Sequence, residues 1–405
     1  MSKERVKFVL EWERRWNDGE GDLNFAALCR EFGVSRQQGY MWIARFRDAR
    51  NDVRVVAEAR SRRPHTTPTK VSDELEELLV ATRKAHPTWG PKKLRAWLLH
   101  RRCELELPAV STIGEVLKRR GLTSSRHRRM RVTRETRQPF AKVTGPNATW
   151  CVDFKGHFRT GDGMVCYPLT IVDAYSRLLV RCEAVREPAG DEVQRVFDSA
   201  FQEYGLPSAI RSDNGPPFAS SGAGGLTPLS VWWLRLGIRV ERIRPGKPQE
   251  NGRQERMHRT LKEETARPPR ATVRAQQRAF DEFRREYNEE RPHEALGLQT
   301  PASHYQASSR RYPRPLVRFS PAAWDHPARV DPRGYITWNR TRLFVSSALA
   351  HEDVELRYQA ERDFWDVVFG PLSIGKLRET STGCRFEPSR GRMQDAREVS
   401  GMSLE

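Results

Sequence analysis

The sequence changes its periodicity at Thr149, and this change constrains the fold more than any other feature. From there Trp150, Val152 and Phe154 alternate with other residues, which is the two-residue period of a β-strand. The stretches MVCYPLTIVD and SRLLVRCEAV follow as a predicted hairpin, then AGDEVQRVFDSAFQEYG as a helix and SAIRSD as a short strand. We therefore expect an α/β core with a mixed sheet over residues 149–306, preceded by helical units.

The N-terminal residues 1–50 predict a helix-turn-helix. Asn24 precedes one helical stretch, Gly33 interrupts it, and Ser35 precedes a second, RQQGYMWIARF, as N-caps and a turn glycine do. The first helix of the region has an apolar stripe made of Val6, Val9, Leu10, Trp12 and Trp16. The core is expected to contain Ile43 and Phe46. In a DNA-binding unit the second helix begins at the base edges, here with Arg36, Gln37 and Gln38. An ordinary helical hairpin has the same pattern.

Residues 71–122 predict a second unit, of helix-turn-helix or winged-helix type. Its three helices are VSDELEELLVATRKAHP, GPKKLRAWLLHRR and STIGEVLKRRGL, with Ser72 and Ser111 as expected caps. The preceding segment, 51–70, is rich in Arg, Pro and Thr and is predicted to be a linker. The following segment, 123–148, is strongly basic and too polar to build a core, so it is either a solvated tether or a linker that lies along DNA.

The C-terminal part of the chain predicts a small antiparallel β-barrel over residues 326–378. GYITW, TRLFV, DVELRYQ, DFWDVVF and LSIGKLR are five short strand patterns at close spacing. A Pro/Arg-rich linker over 307–325 separates them from the core. The polar tail, 379–405, is expected to be disordered.

The charge of the chain indicates a polyanionic partner. There are 71 Lys and Arg against 52 Asp and Glu, a net charge of +19, and the isoelectric point is near 10.1. Such a surplus favours DNA, because cationic side chains release counterions from phosphates on binding. No stretch is apolar and long enough for a membrane span, so a cytoplasmic protein is expected. The six cysteines have no C-x-x-C pair, which argues against a zinc ribbon.

Three acidic positions predict a metal-dependent chemistry. Asp153 lies in an otherwise apolar strand, where a lone carboxylate is costly unless it binds a metal or pairs with a cation such as Lys155. Asp213 ends a second strand before Asn-Gly, so it is either a ligand or a turn-capping residue. Adding one glutamate from PGKPQENGRQERMHRTLK gives oxygen ligands for Mg²⁺ or Mn²⁺, with two ions expected.

That last stretch contains two glutamates, and helical periodicity separates them. Glu255 shares a face with cations, whereas Glu250 aligns with Met257 and Leu261 and would lie in the first turn, where the helix dipole favours an acid. The face of Glu255 consists of Asn251, His258, Arg259 and Lys262. Glu255 is therefore the expected third ligand.

Cations around the expected triad are placed either to meet phosphates or to form a solvated helix face. They are Lys247, Arg253, Arg256, Arg259 and Lys262. His258 is expected to have a structural or DNA-contacting role. Two other acids, Asp162 in GDG and Asp173 before Ala-Tyr-Ser-Arg, are explained by turn chemistry.

These residues resemble a known family. WCVDFKG, IRSDNGPPF and PGKPQENGRQERMHRTLK are similar to the three catalytic blocks of insertion-sequence transposases with a retroviral-integrase-type core, and YNEERPHEALGLQTPASHY resembles the segment after that core. The resemblance spans roughly residues 10–375. Asp153, Asp213 and Glu255 match the Asp-Asp-Glu triad. The interval between the last two is longer than usual in the family, and the Gly-rich loop Gly222–Gly225 accounts for it as an insertion.

The resemblance implies an RNase H-like core that cuts and joins DNA strands with two Mg²⁺ ions. It implies a transposase that binds terminal inverted repeats with its helix-turn-helix units and transfers the ends into target DNA. It further implies a homo-oligomer that brings two ends together on double-stranded DNA. The alternatives are a non-catalytic DNA-binding regulator derived from a transposase, which has no need of three matched carboxylates, and a plain RNase H-like nuclease.

Overall fold

The structure is a computed structural model, and it describes residues 2–18, 24–58, 71–123, 143–243, 252–313, 326–380 and 383–393. The chain divides into two compact units, Met1–Ser72 and Asp73–Glu405. The second unit contains the predicted second helical unit, the α/β core and the C-terminal strands.

The first unit is a helix-turn-helix with a fourth, short helix. Its helices are α1 (Ser2–Asn17), α2 (Phe25–Glu31), α3 (Arg36–Asp48) and α4 (Val53–Ala57). The predicted caps are present: the Asn24 Oδ1 atom accepts from the Ala27 N–H at 3.0 Å, and the Ser35 Oγ atom accepts from the Gln38 N–H at 3.2 Å. Ile43 and Phe46 are buried, as predicted.

Two expectations for this unit are wrong. Leu10 and Trp16 are 44% and 59% exposed, because Phe8, Val9 and Trp12 are the α1 side chains that enter the core. The predicted linker 51–70 begins with structure, since Asp52 caps α4 and Val56 is buried against the other helices. The remainder of that linker, 59–70, lies outside the described residues.

The second helical unit has the three predicted helices. They are α5 (Asp73–Ala85), α6 (Pro91–Arg101) and α7 (Val110–Arg119). Ser111 is not the cap of α7, because that helix begins one residue earlier, after Ala109. Both Arg119 and Arg120 pair with the buried carboxylate of Glu76, which fastens α7 to α5. Of the basic linker, residues 124–142 lie outside the described part of the chain.

The α/β core contains a six-stranded mixed sheet. Its elements are β1 (Trp150–Phe154), β2 (Phe158–Arg159), β3 (Val165–Asp173), β4 (Leu179–Val185), α8 (Gly190–Tyr204), β5 (Ala209–Ser212), α9 (Pro228–Arg235), β6 (Arg239–Arg242), α10 (Gly252–Thr265) and α11 (Val273–Glu289). The strand order is β2-β3-β1-β5-β6, and β4 pairs with β3. The strand β1 is antiparallel to β3 and parallel to β5. The predicted α/β core with a mixed sheet is confirmed.

The two faces of this sheet bury different helices. Val152 and Ile171 pack with α8 and α9, whereas Val172 and Leu179 pack with α10 and α11. Alternate residues of a strand point to opposite faces, so Asp153, next to Val152, lies on the α10 side. The sheet is thus the middle layer of three, and the acidic strand position faces the glutamate-bearing helix.

The C-terminal strands form an open sheet, so the predicted barrel is not confirmed. They are β7 (Pro327–Arg329), β8 (Tyr335–Trp338), β9 (Thr341–Phe344), β10 (Asp353–Gln359), β11 (Phe364–Phe369), β12 (Leu372–Thr380) and β13 (Gly383–Met393). Five of them pair antiparallel in the order β13-β12-β11-β10-β7, and β8 and β9 form a separate hairpin. The predicted disordered tail from 379 is wrong as far as Met393, because β13 pairs along most of β12.

The Gly-rich insertion docks this C-terminal sheet on the core. Ala223 and Leu226 pack in one apolar cluster with side chains of β10, β11 and β12. The Arg242 guanidinium of β6 donates to the carbonyl oxygens of Gly224 and Gly225 at 3.0 and 2.7 Å. Gly224 has a φ of +63°, and a Cβ there would lie 2.9 Å from Ile374, so only glycine fits.

The predicted linker 307–325 also begins as part of the core. The Arg310 guanidinium donates to the Pro207 carbonyl at 2.7 Å, and the Tyr312 hydroxyl donates to Asp198 at 2.8 Å. Residues 314–325 lie outside the described part. Among the helices of the described residues, none is both long and apolar enough to cross a bilayer.

Candidate active site

The three expected acidic residues come from three elements near one end of the sheet. Asp153 is on β1, Asp213 directly follows β5, and Glu255 is in the first turn of α10. The strands β1 and β5 are parallel neighbours with Cys151 opposite Arg211, so two residues further along Asp153 and Asp213 leave the sheet side by side. The sequence argument for convergence of these two strand ends therefore agrees with the topology.

Asp153 has the most perturbed environment of the three. Its side chain is 25% exposed and lies opposite Thr170 of β3. Burial and then the negative charge of Asp213 raise the pKa of Asp153 from 3.8 to about 7, with a smaller contribution in the same direction from Glu255. The Phe154 N–H and the charge of Lys155 oppose this rise in pKa without cancelling it. Asp213 and Glu255 are thus close enough for their charges to act on Asp153.

The turn after β5 holds Asp213 in place. Its Oδ1 atom accepts from the Gly215 N–H at 3.2 Å, and the Asn214 side chain donates to the Ile243 carbonyl at 2.6 Å. Turn capping, the alternative role considered for Asp213, is therefore present. It fixes the carboxylate at the strand end, which is also what a ligand at this position needs.

The helix α10 has one buried and one exposed face. Met257 and Leu261 are buried, as predicted, against Phe280 and Phe283 of α11. The exposed side chains include Glu255 and the cations Arg256, Arg259 and Lys262. Lys247, Glu250 and Asn251 lie outside the described residues, and the side chain of Arg253 is likewise not described.

Two expectations about this helix need correction. The described helix begins at Gly252, so Glu255 itself is the acid of the first turn, and the helix-dipole argument does not distinguish it from Glu250. His258 is only 2% exposed, so it belongs to the buried face and not to the exposed cationic one. The reason is tertiary: a polar group of β3 lies opposite it.

His258 connects α10 to the sheet beside Asp153. Its Nε2 atom is 2.7 Å from the Thr170 Oγ1 atom, and its Nδ1 atom is 3.7 Å from an Asp153 carboxylate oxygen. Burial, together with the charge of Lys155, lowers the pKa of His258 to about 3, so the ring is neutral near pH 7. Gln254, one turn earlier, is 3% exposed and donates to the Cys151 carbonyl at 2.9 Å.

Sequence reasoning missed Gln254 and Thr170. Gln254 shares the helical face of Met257 and Leu261, and a polar residue at such a position signals a buried hydrogen bond. Thr170 carries no signal of its own, because only strand register places it opposite Asp153.

Asp162 and Asp173 have the turn roles predicted for them. Asp162 accepts from the Met164 N–H at 3.3 Å. Asp173 is fully buried, and its two oxygens accept from the Asn147 N–H and from the N–H and hydroxyl of Ser176. Neither is a further candidate ligand.

The acidic trio suits a hard divalent cation by its chemistry. Carboxylate oxygens are the ligands of Mg²⁺ and Mn²⁺, and a cation would offset both the burial and the repulsion that raise the pKa of Asp153. Within the described part of the chain, however, no three Asp, Glu, His or Cys side chains are grouped closely enough to hold a metal as they stand. The three carboxylates are thus suitable ligands for such a cation, but among the described residues they do not form an assembled coordination shell.

The predicted recognition helix α3 exposes more than its first turn. Arg36, Gln37 and Gln38 are all exposed. Tyr40 and Met41 are also exposed, by 60% and 58%, and sequence reasoning did not single them out. For Met41 the sequence did contain a sign of exposure, because Gln37 and Met41 lie on the face of the helix opposite its buried positions.

The comparisons with known proteins agree with this arrangement. Integrase core domain families match residues 143–248 and 236–301, ranges that together include Asp153, Asp213 and Glu255. A homeodomain-like domain family matches residues 38–117.

Two of the curated relatives come from insertion elements. The chain is 30% identical to an insertion element IS407 protein of Burkholderia multivorans, over 45% of this chain and 64% of that one. It is 29% identical to an insertion element IS476 protein of Xanthomonas euvesicatoria, over 58% of this chain and 65% of that one. It thus spans slightly less than two thirds of both relatives.

Among solved structures, the HTLV-2 integrase catalytic core domain in complex with magnesium is similar at 18% identity and a TM-score of 0.32, covering 40% of this chain and 98% of that one. The resemblance deduced from the three acidic blocks is confirmed at the level of the core: the chain contains an integrase core domain, preceded by a homeodomain-like region, and is similar to insertion-element proteins.

Proposed function

We propose that this protein is a DNA transposase that binds terminal inverted repeats and catalyses metal-dependent strand cleavage and strand transfer. The observation that supports it most is the trio of Asp153, Asp213 and Glu255 inside the integrase core match, where burial and then the charges of Asp213 and Glu255 raise the pKa of Asp153. Repulsion between carboxylates lowers the stability of the protein when no cation is bound, and this is typical of a site that binds cations.

The chemistry is phosphoryl transfer. In cleavage, a water oxygen forms a bond to a phosphorus at the transposon end while the bond to the 3′ oxygen breaks. In strand transfer, the freed 3′-hydroxyl attacks a target phosphodiester, and the target 3′ oxygen leaves. Asp153, Asp213 and Glu255 would hold Mg²⁺ or Mn²⁺, and a pair of such ions supplies activation of the attacking oxygen and charge for the leaving one.

The exposed cations of α10 support DNA contact at this edge. Arg256, Arg259 and Lys262 stand on the same helix as Glu255, where phosphates of a bound duplex would be neutralised. We assign the same role to Lys247 and Arg253. In the first unit, the exposed start of α3 with Arg36, Gln37 and Gln38 would read the terminal repeats. Two ends brought together require a homo-oligomer on DNA.

The test is strand transfer of labelled terminal DNA with Mg²⁺. Asp213→Asn should abolish product and leave DNA binding intact. Asp162→Asn is the matched control, because Asp162 is an acid of the same domain that only caps a turn, and it should retain activity. A wild-type protein that binds the ends but never cuts or joins them would contradict the proposal and favour the regulator alternative.

A further inference from the structure

Two buried polar side chains of α10 stand on either side of Glu255. Gln254 precedes it by one residue and His258 follows it by three, and they are 3% and 2% exposed. The apolar side chains of this face, Met257 and Leu261, pack against α11 and the sheet. Polar groups cost free energy when buried, so their presence beside Glu255 calls for a role that apolar residues would not fill.

Each of these side chains makes one hydrogen bond to a different strand. The Gln254 Nε2 atom donates to the Cys151 carbonyl of β1 at 2.9 Å, two residues before Asp153. The His258 Nε2 atom is 2.7 Å from the Thr170 Oγ1 atom of β3, opposite Asp153. The two anchors therefore join α10 to the strand that carries Asp153 and to its neighbour.

The hydrogen-bond pattern shows which nitrogen of His258 is engaged. The Thr170 hydroxyl donates its single proton to the Asp153 carbonyl at 3.2 Å. When the hydroxyl donates there, the His258 tautomer that completes the pattern carries its proton on Nε2 and donates it to Thr170. At 3.7 Å the His258 Nδ1 atom is beyond hydrogen-bond distance from the Asp153 carboxylate. The hydrogen bond of His258 in this region is therefore the one with Thr170 and not one with the Asp153 carboxylate.

Apolar packing and hydrogen bonds restrain a helix differently. The contacts of Met257 and Leu261 set how far α10 lies from the sheet, but they are not directional. Hydrogen bonds to two fixed strand positions, on two adjacent strands, also set the rotation and axial register of the helix. Glu255 lies between the two anchor points, so its position relative to Asp153 depends on them.

We propose that Gln254 and His258 are positioning residues that lock the rotation and register of α10 and thereby place Glu255 opposite Asp153. The expected effect of these residues on strand transfer rests on the proposed function. The anchoring itself is a property of the folded chain and can be measured without DNA or metal.

Four variants separate anchoring from other roles. His258→Leu and Gln254→Met keep bulk and remove the hydrogen bond. His258→Gln keeps a nitrogen near the Nε2 position, which reaches Thr170, whereas His258→Asn keeps one near the Nδ1 position, which faces Asp153. Thr265→Val is the matched control, because the Thr265 hydroxyl is equally buried on α10 but donates within the helix, to the Leu261 carbonyl.

Strand transfer in a single turnover is the first measurement. His258→Leu and Gln254→Met should lower its rate about 100-fold with unchanged DNA affinity, the cost of a roughly 1 Å misplacement. His258→Gln should recover most of the rate, and Thr265→Val should keep it. Recovery by His258→Asn but not by His258→Gln would overturn the inference, because it would mean that His258 acts directly on Asp153.

Amide hydrogen exchange over residues 252–265 is the second measurement, on the free protein. His258→Leu and Gln254→Met should speed exchange throughout α10, whereas Thr265→Val should affect only its last turn. Unchanged exchange in both anchor variants would refute the anchoring. If wild type shows no strand transfer, the proposed function fails, and the exchange result alone decides whether the anchors hold the helix.

Discussion

Replacing Asp153 with asparagine should make the protein more stable at pH 8 while abolishing the proposed activity. The carboxylate is three-quarters buried, and the negative charges of Asp213 and Glu255 raise its pKa further. Asparagine has nearly the same shape and can still accept a hydrogen bond, but it carries no charge. Its effect on stability therefore measures the combined cost of burying this charge and of its repulsion by the other two carboxylates.

The magnitude follows from the pKa of Asp153, which rises from 3.8 to about 7 in the folded protein. Between these values the folded state binds a proton that the unfolded state does not, so stability falls as the pH rises and the loss is complete above pH 7. At about 1.4 kcal/mol per unit, three units correspond to a ceiling of about 4 kcal/mol. Screening by water and salt lowers the expected gain for Asp153→Asn to roughly 2–4 kcal/mol.

The assay is thermal and denaturant unfolding of wild type and Asp153→Asn from pH 4 to pH 8.5. The variant should gain most above pH 7, and the two proteins should converge near pH 4. Adding Mg²⁺ at pH 8 should stabilise wild type but much less the variant. Asp162→Asn is the control of opposite sign, because the Thr160 hydroxyl holds the pKa of Asp162 below its usual range, so this variant should lose stability at neutral pH. A difference between Asp153→Asn and wild type that does not change with pH would refute the reasoning.

Three further predictions concern the glutamate choice, the first unit and the DNA surface. Glu255→Gln should abolish strand transfer and Glu250→Gln should retain it; equal loss in both, with folding intact, would contradict the assignment. Gly39→Ala should destabilise the first unit by about 1–3 kcal/mol in thermal unfolding, since its Cβ would lie 2.8 Å from Phe25 and 3.0 Å from Cys29 and Phe8. Gly114→Ala is its control, because a Cβ there would meet only Pro91 at an ordinary 3.7 Å. Arg259→Ala should weaken DNA binding similarly for all sequences and lower the slope of log affinity against log salt by about 1, whereas an unchanged slope would remove Arg259 from the phosphate contacts.

Local sequence patterns were sufficient to predict structure where a single short-range interaction determines it. Asn24 and Ser35 cap α2 and α3 because a side-chain oxygen bonds to a nearby N–H within the same turn. Ser111 failed as a cap because α7 begins at Val110, and the boundary there depends on packing and not on a side-chain bond. Trp16 and Leu10 belong to the apolar stripe of α1 yet are exposed, because such a stripe does not show which of its members the neighbouring helices cover.

Longer-range outcomes had no local signal. The tail after residue 379 is polar, yet β13 forms because β12 offers it an unpaired edge. The Gly-rich insertion after Asp213 is a loop by composition, but it is one side of the apolar cluster that docks the C-terminal sheet. Five strand patterns predicted a barrel, but the sheet is open. Whether a sheet closes depends on which strand edges pair, and the local sequence does not show this.

By itself, the sequence determined the α/β core and the helix-turn-helix before it, and it predicted three acids for the site, because periodicity and acidic residues in strand and helix contexts are local properties. The tertiary structure decided how those acids are held. Parallel pairing of β1 and β5 brings Asp153 beside Asp213, and Gln254 and His258 of α10 are buried in contact with β1 and β3. These contacts join residues that are far apart in the chain, so their register depends on the packed sheet and not on any single stretch of sequence.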